Sequence, residues 1–210
     1  MATTFLQLVN QVNRRLNEVE LTSANFASVT GFYAHAKDAV NASIRYINQS
    51  EFEWPFNHTT KTQTLTANTS RYAFPTDCKV INFDTFRIKE DSTLGNSTTR
   101  ILPMAYEEYL DKFVAQEYNS SSFQGVPTRV IHAPSLEFVL TPEPNAAYIL
   151  VYEYFNFTAD LSAHGDAIVI PDRFAHVITD GAMHYAYLFR GNTQDSLVMK
   201  EKFDEGIKYM

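Results

Sequence analysis

Asp172, His176, Asp180 and His184 follow one another at intervals of four residues. That interval stacks side chains on successive helical turns, and two imidazoles with two carboxylates are donors that zinc accepts. Each step of four also turns about 40° around the helix axis, so the set spreads over about 120° and no three donors converge without a ligand from elsewhere. The expected state is a solvated polar edge with local Asp–His pairing. His35, His58, His132 and His164 stand in separate segments and read as surface or capping residues. Cys78, the single cysteine, follows Pro75-Thr76-Asp77 with no base near it in sequence, so nothing there would activate a thiolate. Glu107 and Glu108 are adjacent, and neighbours on a helix face different ways. The chain contains no G-x-S-x-G, P-loop, H-E-x-x-H or dinucleotide fingerprint. A non-enzymatic protein without cofactor or metal is expected; the enzymatic alternative is a cell-wall or metal-dependent hydrolase built on Asp172 and His176.

The elements that carry these residues are legible from periodicity. Phe5, Val9, Val12, Leu16 and Val19 recur at spacings of three and four, which predicts an amphipathic helix from Thr4 to about Glu20, capped by Thr3 or Thr4. A second helix is predicted over about Thr30 to Ser50, with Tyr33, Ala36, Val40, Ile44 and Ile47 on one face; its four alanines make it slim. Pro171 opens a third, in which Phe174, Val177, Gly181, Tyr185 and Leu188 share a face. Gly181 costs about 1 kcal/mol against alanine in a helix interior, so its use is to admit a close neighbour, and the slim second helix is the expected one. Gly191 ends that helix, and Asn192 or Thr193 caps a last one with Met199, Phe203, Ile207 and Met210 in a stripe.

Between the two helical ends the pattern turns to β. Strands are predicted at Thr60 to Thr66, around Tyr72 and Phe74, at Val80 to Ile88, Thr128 to His132, Leu136 to Leu140 and Ala147 to Phe157, with a short inserted helix from Pro103 to about Gln116. In the last strand Tyr148, Tyr152 and Tyr154 alternate with Phe155 and Phe157, so one face meets the core and the other is free to meet a neighbouring subunit. The fold class is therefore α+β: a bundle of N- and C-terminal helices, residues 1–56 and 165–210, around a central antiparallel β-meander subdomain, residues 57–164, in one continuous fold. Trp54, at the junction Glu51 to Phe56, reads as a plug between the two parts or as an exposed anchor for a partner.

Composition narrows the partners. A net charge of −7 with scattered Lys and Arg offers no basic patch for sequence-specific DNA binding. One cysteine excludes an intrachain disulfide and suits a reducing compartment. No run of 18 apolar residues exists and the first residues lack a signal-peptide pattern, so neither export nor a membrane association is expected, and the seven Asn-x-Ser/Thr triplets are chance products of an Asn-, Ser- and Thr-rich chain. The polar loop 89–100 and the chain end are free to reach across a neighbour, which makes Asp91, Leu94, Asn96, Lys208, Tyr209 and Met210 candidate partner contacts.

The succession of an aromatic junction (FEWPF), RYAFPTDCKVI, LPMAYEEYLDKF, GVPTRVIHAPSLEFVLTPEPN, ILVYEYF and IVIPDRFAHVITDGAMHYAYL resembles the head-to-tail adaptor proteins of tailed phages, also called head completion or tail tubular A proteins. The resemblance implies a homo-oligomeric ring of about twelve copies, assembled in the host cytoplasm and carried in the virion, that binds the portal protein and the tail tube or nozzle. DNA would pass through the ring without sequence-specific contacts. A tail-tube or tail-completion protein is the other virion reading.

Overall fold

The computed structural model describes residues 2–89, 98–115 and 123–210. Contacts divide the chain into two compact units, residues 1–57 with 158–210 and residues 58–157. The first is helical. It holds α1 (Phe5–Arg15), α2 (Phe32–Ser50), α4 (Ala175–Phe189) and α5 (Thr193–Lys208).

Helix α1 starts at Thr4, whose hydroxyl accepts the Gln7 amide N–H while the Gln7 side chain accepts that of Thr4, a reciprocal capping box. It ends at Arg15, short of the expected Glu20. Asn17 takes the left-handed conformation (φ 56°), and the Leu16, Asn17 and Glu18 amides bond back into the last turn, so the chain leaves the helix and Val19 ends 73 % exposed. Helix α2 begins after Gly31 (φ 62°) and ends as predicted ahead of the Trp54-Pro55 step. Pro171 leads first into a 3-10 turn, Asp172–Phe174, and then into α4.

At Gly181 the expectation of a close neighbour is met twice. A Cβ placed there would lie 2.3 Å from Ser43 Oγ of α2 and 2.7 Å from the ring of Phe203 of α5. Ser43, fully buried, donates to the Ile178 carbonyl across the same seam at 2.9 Å. The α2, α4 and α5 surfaces thus meet over one hydrogen atom. Around that point lie Val40, Ile44, Ile47, Val177, Ile178, Ala182 and Phe203, with Met199, Ile207 and Met210 packed alongside.

Loops of this unit are pinned by buried amides. The Asn10 side chain both donates to and accepts from the backbone of Leu21 at 2.8 Å, and Asn41 does the same with Leu161 at 3.0 Å. Each amide stands in for a strand neighbour and satisfies two backbone groups at once. Asn48 donates to Thr158 Oγ1 and accepts from Asn57. Three of the Asn-x-Ser/Thr asparagines, Asn41, Asn48 and Asn57, are therefore buried hydrogen-bonding residues.

The second unit contains β1 (His58–Thr64), β2 (Arg71–Ala73), β3 (Cys78–Lys89), β4 (Thr98–Arg100), β5 (Leu102–Met104), α3 (Tyr106–Lys112), β6 (Gln124–Gly125), β7 (Arg129–Ala133), β8 (Glu137–Thr141), β9 (Glu143–Pro144) and β10 (Ile149–Asn156). The strands lie in two four-stranded sheets, ordered β1-β10-β3-β4 and β2-β8-β7-β5, with β6 and β9 as a small separate pair. The first sheet is antiparallel throughout, and in the second β5 runs parallel to β7. Among the described residues, consecutive strands pair directly only at β3–β4 and β7–β8; the rest of the order comes from long-range pairing, which turn residues do not encode.

Alternation along each strand builds the core of this unit. Ile81, Phe86, Ile88, Leu150, Tyr152 and Tyr154 of the first sheet and Tyr72, Val130, Phe138 and Leu140 of the second share one buried cluster. Phe86 stacks on Tyr152 with ring centroids 4.6 Å apart and meets Phe138 edge-on at 5.2 Å. The opposite face of the second sheet is covered by α3, through Tyr109 against Ile131, Ala133 and Val139. One buried polar atom in the sheet core stands apart: the Tyr152 hydroxyl has no hydrogen-bond partner among the described residues, and burial pushes its titration upward.

Two substitutions test these packings. Gly181→Ala gains about 1 kcal/mol of helix propensity. The methyl must displace a fully buried ring and a bonded hydroxyl, at a cost of about 1–3 kcal/mol, so the net effect expected in urea unfolding is a loss of stability. Tyr152→Phe removes an unpaired buried hydroxyl and is expected to leave stability unchanged or raise it by up to about 1 kcal/mol in the same measurement.

Candidate assembly surface

The four polar residues of the helix starting at Pro171 do not converge. Asp172 accepts the Thr3 amide N–H at 2.7 Å, and this backbone hydrogen bond holds its carboxyl below the usual carboxylate range. His176 Nδ1 lies 3.1 Å from the Arg173 carbonyl. Asp180 accepts from Arg15 of α1, and His184 sits between the carbonyl and the hydroxyl of Ser196 of α5. The expected Asp–His pairing is thus replaced by four separate ties, because neighbouring elements offer each group a nearer partner than the next helical turn does. Among the described residues no group of three or more His, Cys, Asp or Glu is placed to hold a metal ion.

The other chemistry-bearing residues are equally dispersed. Cys78 opens β3 half-buried, and burial, with the charge of Asp77, pushes its thiol up to about 11. Glu108 bonds Lys112 one turn away at 2.7 Å, which lowers its carboxyl, while Glu107 stays exposed beside it.

The sequence-predicted contact residues fall in three different settings. Trp54 is only 7 % exposed; it stacks on Phe56 at 5.3 Å and its indole N–H donates to the Ile47 carbonyl at 2.7 Å, within the helical core. A side chain so placed packs its own unit and does not present an anchor outward. At the chain end Lys208 closes α5, Tyr209 is 76 % exposed and Met210 folds back against the helical core. Asp91, Leu94 and Asn96 lie outside the described residues.

A different surface stands out in the β unit. The inner face of β10 is sealed by Leu150, Tyr152 and Tyr154, while Ile149, Val151, Phe155 and the adjoining Phe157 line the other side, partly or openly exposed. The register sets Val151 between Thr62 of β1 and Arg87 of β3, and Phe155 between His58 and Val80. His58 stacks on Phe155 at 4.8 Å while its Nε2 lies 3.1 Å from Glu153 Oε2, and the Lys79 ammonium stands 5.5 Å from the Phe157 ring. These contacts hold the outer side chains in fixed positions along the sheet. The phenylalanines were foreseeable from alternation; His58, Val80 and Arg87 beside them were not, since only strand order brings them there. The face interleaves apolar area and aromatic rings with the charges of Glu153 and Arg87, a mixture found on protein-binding surfaces.

The chain matches the model of a family described as SU10 adaptor protein over residues 3–210. Among curated proteins none matches it.

The environment of Cys78 makes the reactivity of its thiol directly testable. With a thiol at about 11, alkylation by iodoacetamide at neutral pH is expected to run roughly three-hundredfold slower than in the urea-unfolded chain, where an ordinary thiol near 8.5 is restored.

Proposed function

Because the chain belongs to the SU10 adaptor protein family of phage adaptors, a virion component that meets other head and tail proteins, we propose that it is the repeating subunit of a head-to-tail connector ring. In this reading about twelve copies close into a ring between the portal and the tail tube or nozzle, with DNA passing through the middle. The observation that carries it is the outer face of the β1-β10-β3-β4 sheet, where Ile149, Val151, Phe155 and Phe157 offer apolar area to a neighbour. A ring needs two different surfaces per subunit in head-to-tail contact, and a sheet face meeting another part of the next copy supplies one of them.

Charge supports the passage of DNA. A net charge of −7 on each copy, repeated around a channel, repels phosphates and keeps the duplex from being held by counterion release. The exposed chain end at Lys208 and Tyr209, with Met210 beside it, is the proposed portal contact, and Asp91, Leu94 and Asn96 are proposed to touch the tail side.

Native mass measurement of the chain alone and mixed with portal complexes tests the reading, with a closed multiple of the 23.9 kDa subunit as the expected product. Val151→Glu is expected to reduce ring formation at least tenfold while leaving thermal unfolding within a few degrees, because the new carboxylate faces Arg87 across the strand pair yet removes apolar area. A chain that stays monomeric even with portal present contradicts the ring.

A further inference from the structure

The two large sheets have four edges, and three of them are short. Strands β2 and β4 are three residues long, and β5 is three residues long with Pro103 at its centre, which has no N–H to offer. Strand β1 is the exception. It runs seven residues, His58-Thr-Thr-Lys-Thr-Gln-Thr64, in unbroken register with β10, without proline, and with only Lys61 as a fixed charge. The bulges of this sheet lie between β10 and β3, so none twists the β1 edge away.

Which backbone groups point outward follows from the ladder. Leu65 N–H donates to the Tyr148 carbonyl, so in antiparallel alternation Gln63, Lys61 and Thr59 face β10, and the amides and carbonyls of Thr64, Thr62, Thr60 and His58 face away from it. The side chains of Thr60, Thr62 and Thr64 are also exposed. A long, regular, unprotected edge is a template for another strand, and proteins that do not use one normally block it.

We propose that β1 receives the β4 edge of a second copy, joining the first sheets of neighbouring subunits into one continuous sheet; this rests on the ring reading above and names one of its junctions. Strand sense favours that occupant. Each neighbour in β1-β10-β3-β4 is antiparallel to the last, so a copy placed alongside with the same face outward brings its β4 antiparallel to β1 without any inversion. Height favours it too. Thr62 is level with Val151, Arg87 and Arg100, and Thr64 with Ile149, Lys89 and Thr98, so straight continuation pairs Arg100 with Thr62 and Thr98 with Thr64.

The outward phase also agrees: Ile101 N–H donates to the Phe86 carbonyl, which by alternation leaves the backbone groups of Arg100 and Thr98 facing away from β3. Side chains meet without conflict, since Thr–Thr pairs are favourable across strands and Arg100 falls on the face opposite to Lys61. The alternative of β1 on β1 is isologous, and the register that pairs all seven residues sets Lys61 against Lys61.

Cysteine pairs test the junction in the full chain, with and without the portal complex. Arg100→Cys is combined in turn with Thr60→Cys, Thr62→Cys or Thr64→Cys, and the parent chain reports the background from Cys78. Expected on mild oxidation is a ladder of covalent multimers from at least one pair, strongest for position 62, and none from the single variants. Thr62→Pro is expected to cut assembly at least tenfold with unchanged circular dichroism, since the Thr62 N–H faces away from β10. Rings that form without any of these cross-links, or that form normally from Thr62→Pro, overturn the strand junction and leave the ring standing. Dimers from a Lys61→Cys single variant assign β1 to itself and overturn it as well. A chain that never associates removes the ring and this junction together.

Discussion

The helical unit depends on one missing methyl group. At Gly181 there is room for hydrogen only, because Ser43 and Phe203 arrive from two different helices at distances no Cβ could accept. Close approach there lets the Ser43 hydroxyl reach the Ile178 carbonyl and lets the Phe203 ring bury completely. The glycine gives up about 1 kcal/mol of helix propensity, and complete burial of a phenylalanine side chain returns roughly 1.5–3 kcal/mol. Van der Waals contact across the seam adds to that gain.

Polar groups in this unit work as connectors. Asn10, Asn41 and Asn48 each reach from a helix to a loop backbone or side chain, at Leu21, Leu161 and Thr158, the last two more than a hundred residues away in sequence. Arg45 clasps Asp160 in the same returning segment, and that hydrogen bond holds the Asp160 carboxyl low. The pair is about half exposed on both sides, so its own contribution is at most about 1 kcal/mol. The buried amides matter more, since leaving a buried backbone group unpaired costs about 1–3 kcal/mol. Titratable residues that look like a site in one dimension, from Asp172 to His184, serve the same purpose of tying one element to another.

The β unit follows a different logic. Its second sheet packs on both faces, against the first sheet and against α3, whereas among the described residues of this unit the first sheet shows packing on one face. In the proposed ring, the surface kept for neighbours is the outer face of this sheet and the backbone of the β1 edge. Both belong to the same ladder, so in that reading a partner would meet a surface already in its bound shape, with less ordering entropy opposing assembly.

What the sequence determined by itself is local. The apolar spacing of three and four in α1, α2, α4 and α5, the alternation in β8 and β10, the stop at Trp54-Pro55 and the need for a close neighbour at Gly181 all follow from residues within a turn or two of one another. The α+β class was reachable on that basis, and the adaptor family through the resemblance of the succession of motifs along the chain. Tertiary structure decided the rest, for reasons of distance along the chain. The end of α1 at Asn17 turned on one left-handed residue that competed with a continuing apolar stripe, and the placing of Trp54 turned on a carbonyl of α2 within reach of its indole. Strand order is the plainest case: β10 pairs with β1 and β3, whose partner residues lie from 60 (Ile149↔Lys89) to 97 (His58↔Phe155) positions away along the chain. Pairing energy depends on which backbone edges meet and hardly on the turns that precede them, so only the folded chain shows that β1 is an edge at all.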